Sequence, residues 1–206
     1  MKKHLFTIIL SLLSLVSFAT KEQEFWTWVK SNKTNIESIL ESHQFVSQLN
    51  AKIQAYNELL TFEIGKTKNN KINFIISCGG IRDGIPVVKK LVKASRQIEN
   101  WNIIAFKQAK EELYTIEENG ISVKPSQIKV KYKVVGNTAN LDLYIKDYDG
   151  YDQRYLSVAF IFLDNLFGEL YVMNKIDEIT FNPMPRAQSE LITLEELKKQ
   201  LEPKLK

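Results

Sequence analysis

The sequence predicts an α+β fold: mainly antiparallel sheets with helices packed on one face, built on what reads as a duplication of a β-β-α-β unit. Three observations carry this expectation. Ile128 to Val135 alternates apolar residues with lysines, and after Gly136-Asn137 the stretch Leu141 to Ile145 alternates again. A period of two on both sides of a Gly/Asn turn marks a half-buried hairpin. Lys71 to Lys107 reads as strand, glycine turn, helix and strand. Finally, residues 59–106 follow the order hairpin, helix, strand, and residues 128–181 follow the same order with an extra closing strand. The similarity is one of pattern, with little identity.

In chain order, Phe25, Val29, Ile36, Ile39, Leu49 and Ile53 recur at spacings of three and four. This predicts an amphipathic helical region, broken near Ser31 to Thr34, where Ser, Asn and Thr offer a new N-cap. Trp26 and Trp28 diverge on such a helix, so one of them, with Phe25, is expected to pack elsewhere or stay partly exposed. Leu59 to Gly65 and Ile72 to Ser77, joined across Asn69-Asn70, predict a hairpin. Asp83 is expected to N-cap the next helix, with Pro86 in its first turn. Trp101 to Phe106 returns as a strand.

The charged stretch Gln108 to Glu118 reads as an edge strand or a connection, and Ile121 to Val123 as a short strand. Gln153 to Phe167 is apolar and long enough for a buried helix that ends at Gly168. Glu169 to Met173 and Asp177 to Phe181 read as a closing strand pair, and a short charged helix from Thr193 leads to a frayed tail.

The N-terminus reads as a secretory signal peptide over residues 1–19. Lys2, Lys3 and His4 precede an apolar run from Leu5 to Phe18, with Ser17 and Ala19 at small-residue spacing. The run is shorter than the roughly 20 residues a spanning helix needs, so no stable membrane anchor is expected. Export to the periplasm or the extracellular space follows. The expected division is residues 20–186 as a single α+β domain and residues 187–206 as a short helix and tail.

Of 28 basic side chains, cleavage would remove Lys2 and Lys3 and leave 26 against 24 acidic ones, a net charge of +2. That balance, with lysines spread along the chain, gives little drive toward phosphate backbones, so nucleic acid is not an expected partner. Cys78 is the single cysteine, so no intramolecular disulfide is available.

No catalytic constellation, metal-ligand set or cofactor motif is read from the sequence. Gly79, Gly80 and Gly84 after a strand suggest an anion loop, but the spacing fits neither the Walker nor the dinucleotide pattern, and a plain tight turn accounts for them. Cys78 would need a base, and His43 is the one histidine beyond the signal segment. Asp147, Asp149 and Asp152 suggest calcium without EF-hand spacing; a strand-to-helix loop with Asp152 as N-cap accounts for them better.

The expected ligand-binding residues are Arg82 and Asp83, at a helix N-terminus, and the aromatic pair Trp26 and Trp28. The functional expectation is a non-enzymatic binding protein with a protein or cell-envelope partner. The alternative is a hydrolase or transferase using Cys78 or the loop Asp147 to Asp152.

Phe25-Trp26-x-Trp28, Thr61-Phe62-Glu63-Ile64-Gly65, Ile76-Ser77-x-x-Gly80-Ile81 with Pro86, and Trp101-Asn102-Ile103-Ile104-Ala105-Phe106 together resemble an uncharacterised family of bacterial proteins. That family's pattern runs Phe-Trp near the start, a Thr-Phe-Glu-Phe-Gly strand, an Ile-Ser-Ala-Asp-Gly-Ile turn and a Trp-x-x-x-Ala-Phe strand. The resemblance covers Phe25 to Phe106 and continues weakly through Asp147 to Asp152 and Gly168-Glu169 toward Pro183. It implies a shared fold and no particular activity. Where the pattern has Ala-Asp this chain has Cys78-Gly79, so a cysteine chemistry would be peculiar to this chain.

Overall fold

The computed structural model describes residues 19–205, so the expected signal segment lies, apart from Ala19, outside the described residues. Four short helices open the fold: α1 (Lys21–Ser31), α2 (Lys33–Glu37), α3 (Ile39–Ser42) and α4 (Val46–Tyr56). Thr20 and Gln23 form a capping box at the start of α1. The expected break falls at Asn32, whose backbone φ of −107° leaves the helix. A second interruption falls at Ser38, between α2 and α3, and a third at His43, which takes the left-handed conformation. One kinked helix is thereby divided into four pieces, each too short to stand without tertiary packing.

Those helices cover a three-stranded sheet of β1 (Thr61–Lys66), β2 (Ile72–Ser77) and β3 (Trp101–Ala105). β1 and β2 form the expected antiparallel hairpin. The helix α5 (Ile85–Lys93) then carries the chain across so that β3 pairs parallel to β2. Phe25, Trp26, Phe74, Leu91 and Trp101 lie in one buried cluster, each large side chain worth roughly 1.5–3 kcal/mol for the area it removes from water.

Asp83 does not cap α5, contrary to the sequence reading. It sits inside a 3-10 turn, Arg82–Gly84, that precedes the helix, and Gly84 is the N-cap. The residue that fixes this entry is Gly84, because a Cβ there would overlap the Cβ of Cys78 and lie 3.1 Å from its sulfur. Gly84→Ala is therefore expected to destabilise the protein by about 1–3 kcal/mol, through overpacking. A urea unfolding midpoint indistinguishable from wild type would contradict this.

A small hairpin, β4 (Ile116–Glu118) with β5 (Ile121–Val123), links the halves. The second sheet holds β6 (Ile128–Val135), β7 (Thr138–Ile145) and β8 (Ile176–Pro183), with β6 and β7 antiparallel and β8 parallel to β7. Along β7, Ala139, Leu141, Leu143 and Ile145 are buried and the alternate residues less so, as the period of two requires. They pack in one cluster with Val158, Phe162 and Leu166 of α6 (Gln153–Phe167). Asp152 caps α6 through the Arg154 N–H, as expected.

The stretch after Gly168 departs from the sequence reading. Instead of two strands, Glu169–Lys175 forms the helix α7 and Ile176–Pro183 the single strand β8. Both halves are therefore β-β-α-β units with the same pairing: an antiparallel hairpin, a helical crossover and a parallel third strand. The axes of α6 and α7 turn by 101° at Gly168. The last helix, α8 (Leu194–Leu201), starts at Thr193 with a capping box. The tail is not frayed as far as Leu205, which is buried in the second cluster. Among the described residues, no single helix is long and apolar enough to cross a membrane.

Candidate functional site

The two halves meet where the glycine turn of the first receives α7 of the second. After Ser77 the chain turns on Gly79 and Gly80, with φ of 59° and 81°, values that favour glycine. The turn aims three donors at one oxygen. Glu169 Oε1 accepts from the Ser77 hydroxyl at 2.7 Å, the Cys78 N–H at 3.1 Å and the Gly80 N–H at 3.2 Å. Glu169 Oε2 accepts from the Lys107 N–H at 3.0 Å. The Glu169 N–H in turn donates to the Lys107 carbonyl at 2.9 Å. The carboxylate is fully buried, and these donors offset the cost of removing it from water. The turn does hold an anion, and that anion belongs to the chain itself.

Two backbone features make the contact possible. Gly168 has φ 86°, and a Cβ there would stand 3.3 Å from the Ala109 nitrogen; only glycine lets the segment after β3 approach so closely. Phe106, a bulky residue, adopts φ 64°, which costs of the order of 1–2 kcal/mol. It is held there by its N–H to the Ile76 carbonyl at 2.8 Å and by the clamp on its neighbour Lys107.

Arg82 secures the other end of α7. Its Nε donates to the Met173 carbonyl at 2.7 Å and its Nη2 to the Ile176 carbonyl at 2.6 Å, while Nη1 lies 3.6 Å from Asp177. A guanidinium on the last carbonyls of a helix satisfies acceptors that have no partner within it. One loop thus holds both ends of a helix from the opposite half, and Met173 of that helix packs into the first cluster.

Beside this seam opens a cleft of about 760 Å³, bounded by the glycine turn, α6 and the start of β8. Its apolar walls include Ile81 at 48% and Phe160 at 45% exposure, both unusually open for their size. Asp83, Asp164, Asp177, Arg82 and Lys107 supply its charges. Lys107 Nζ lies 3.4 Å from Glu63 and 3.4 Å from Asp164. Burial alone would lower the Lys107 pKa, but Asp164, Glu63 and Glu169 outweigh it and the pKa is raised.

Burial pushes the Asp164 carboxyl up to about 6, against the pull of Lys107. The unfolded value is near 3.9, so between about pH 4 and pH 6 the folded chain binds the extra proton. Stability from this group is present in full below pH 4 and is lost as the pH rises through 6. Asp164→Asn should therefore flatten that slope and stabilise the protein above pH 6 by at most about 3 kcal/mol. Thermal melting of both forms from pH 4 to 8 checks this; parallel profiles would contradict it.

The groups with chemical potential are placed as follows. Cys78 is buried, with its sulfur 3.7 Å from the Met173 sulfur. Its thiol is pushed up to about 12 by burial and by Glu169, the reverse of an activated nucleophile. His43 is exposed at the end of α3, and neither it nor Asp149 lines the cleft. Asp149 instead accepts from the Tyr151 and Asp152 N–H groups, which hold its carboxyl below the usual range. Among the described residues no group of three His, Cys, Asp or Glu side chains could hold a metal ion.

Of the residues singled out from the sequence, Arg82 and Asp83 line the cleft together. The tryptophans are elsewhere. Trp26 is buried, and its indole N–H donates to the Leu91 carbonyl at 2.8 Å. Phe25 is buried beside it, so the expectation that it packs elsewhere fails. Trp28 is half-buried, stacked on Phe45 with Lys52 over its ring.

Sequence reasoning missed Lys107, Phe160, Asp164 and Glu169. Two of them left a signal: Asp164 is the one charge in the apolar run from Leu156 to Phe167, and Glu169 follows a glycine at a helix end. No protein-family model and no curated protein matches this chain.

Proposed function

We propose that this is an exported, non-enzymatic binding protein, and that its recognition surface is the cleft at the seam between the halves. The observation that carries the reading is the pair Ile81 and Phe160, both about half-exposed and both lining the same cleft. Large apolar side chains presented beside fixed charges are the usual make-up of a recognition site. The glycine turn and α7, which adds Val172 and Met173 to the cleft lining, are locked together by Glu169 and Arg82.

The alternative, a hydrolase or transferase, gains little from the same geometry. Cys78 faces inward, and Asp149 and Asp152 are engaged with their own loop and helix. Export rests on residues 1–19 and the envelope partner on that export.

The test is affinity capture of a partner from envelope extract by wild type, Ile81→Asp, Phe160→Asp and Trp28→Ala, each first shown by circular dichroism to be folded. Loss of the partner with either cleft variant and its retention by Trp28→Ala is the expected result. Retention by both cleft variants would contradict the reading.

A further inference from the structure

Resting on the cleft as the recognition surface, we propose that its occupant is an extended peptide segment of a partner protein, with a basic side chain among apolar ones, laid along β8 as a fourth strand. The two edges of the second sheet differ. On the β6 side, Val130 exchanges both backbone hydrogen bonds with Ile192, at 2.9 and 3.0 Å, and so is covered. On the other side β8 pairs with β7 alone; Arg82 takes the carbonyl of its first residue, Ile176, and among the described residues no strand lies beyond it. An uncovered edge is a template for a further strand, and the start of β8 forms one wall of the cleft.

The charges select the chemistry of the added strand. Three carboxylates line the cleft, Asp83, Asp164 and Asp177, against two cations. Both cations already face acceptors of this chain: Arg82 the carbonyls of α7 and its end, Lys107 the carboxylates on either side. The Asp83 carboxylate, by contrast, has no hydrogen-bond or ion-pair partner among the described residues, and the Asp177 carboxylate is reached by Arg82 at 3.6 Å. The unspent polar capacity is therefore acceptor capacity, which suits a guanidinium or ammonium. Every second side chain of an extended segment would face the cleft, where Ile81 and Phe160 present apolar surface. A second copy of this chain is disfavoured as occupant, since its own β8 carries Asp177 and Glu178 toward an already acidic rim.

The experiment titrates the isotopically labelled protein with three blocked hexapeptides, followed by amide chemical shifts: alternating valine and arginine, alternating valine and glutamate, and the valine–arginine peptide N-methylated at alternate residues. The valine–arginine peptide should bind at least about tenfold more tightly than either of the others, with shifts concentrated on β8 and the glycine turn. Asp83→Asn combined with Asp177→Asn should remove most of that preference while leaving the protein's own spectrum folded. Equal binding of the glutamate peptide in the cleft would overturn the basic ligand and leave the cleft reading standing. Undiminished binding of the N-methylated peptide would overturn strand addition. Shifts that fall outside β8 and the cleft, or no binding at all, would overturn the peptide proposal; the capture experiment with Phe160→Asp decides the cleft reading separately.

Discussion

Replacing Glu169 by alanine is expected to cost the fold roughly 3–5 kcal/mol. The substitution removes one carboxylate and leaves four donors without their acceptor: the buried Ser77 hydroxyl and Cys78 N–H, and the partly buried N–H groups of Gly80 and Lys107. Those donors come from two separated stretches of the first half, so the loss falls on the seam. The two buried clusters then lose their shared anchor, and denaturant unfolding is expected to separate into two transitions, against one expected for wild type. Glu169→Gln should lose less, because its amide keeps one accepting oxygen while its NH₂ meets an N–H donor. A Glu169→Ala midpoint corresponding to less than about 1 kcal/mol would contradict this account of the seam.

Trp26→Ala is expected to cost about 3–5 kcal/mol as well, by the cavity it leaves. The ring meets Phe25 edge-on at 5.1 Å and Phe74 at 6.2 Å, and its N–H bond to Leu91 ties α1 to α5. Trp28→Ala should cost markedly less, the ring being half-buried against Phe45. Thermal unfolding of the two variants gives the comparison, and equal losses would contradict the assignment of Trp26 to the core. Any partner lost with Trp26→Ala would report unfolding, which makes Trp28 the informative probe of the helical surface.

What the sequence made legible is what is local. The β6–β7 hairpin follows from alternation around Gly136-Asn137, and the limits of α6 follow from an apolar run between Asp152 and Gly168. The helix α7 was not legible because Leu170, Tyr171 and Val172 suit a strand as well as a helix. Contacts 60 or more residues away decide it, through Glu169 at one end and Arg82 at the other. The parallel placement of β3 and β8 depends on helical crossovers, which hairpin patterns do not encode.

The site divides in the same way. Arg82 and Asp83 could be named because they stand in a recognisable turn before a helix. Lys107, Asp164 and Glu169 come together only when the two halves pack, and Phe160 lies on an apolar helix where nothing marks the residue that stays exposed. The same packing explains why the glycine turn is not an open anion site: the donors that sequence alone would assign to a ligand are filled by Glu169.

The central claim is that recognition occurs in the cleft and not on the aromatic helix. Its most direct measurement is photo-crosslinking in the producing cell, with a photoreactive phenylalanine analogue installed in place of Phe160 and, separately, in place of Trp28. The account predicts a defined cross-linked product from position 160 and none from position 28. A product from position 28 with none from position 160 would contradict it.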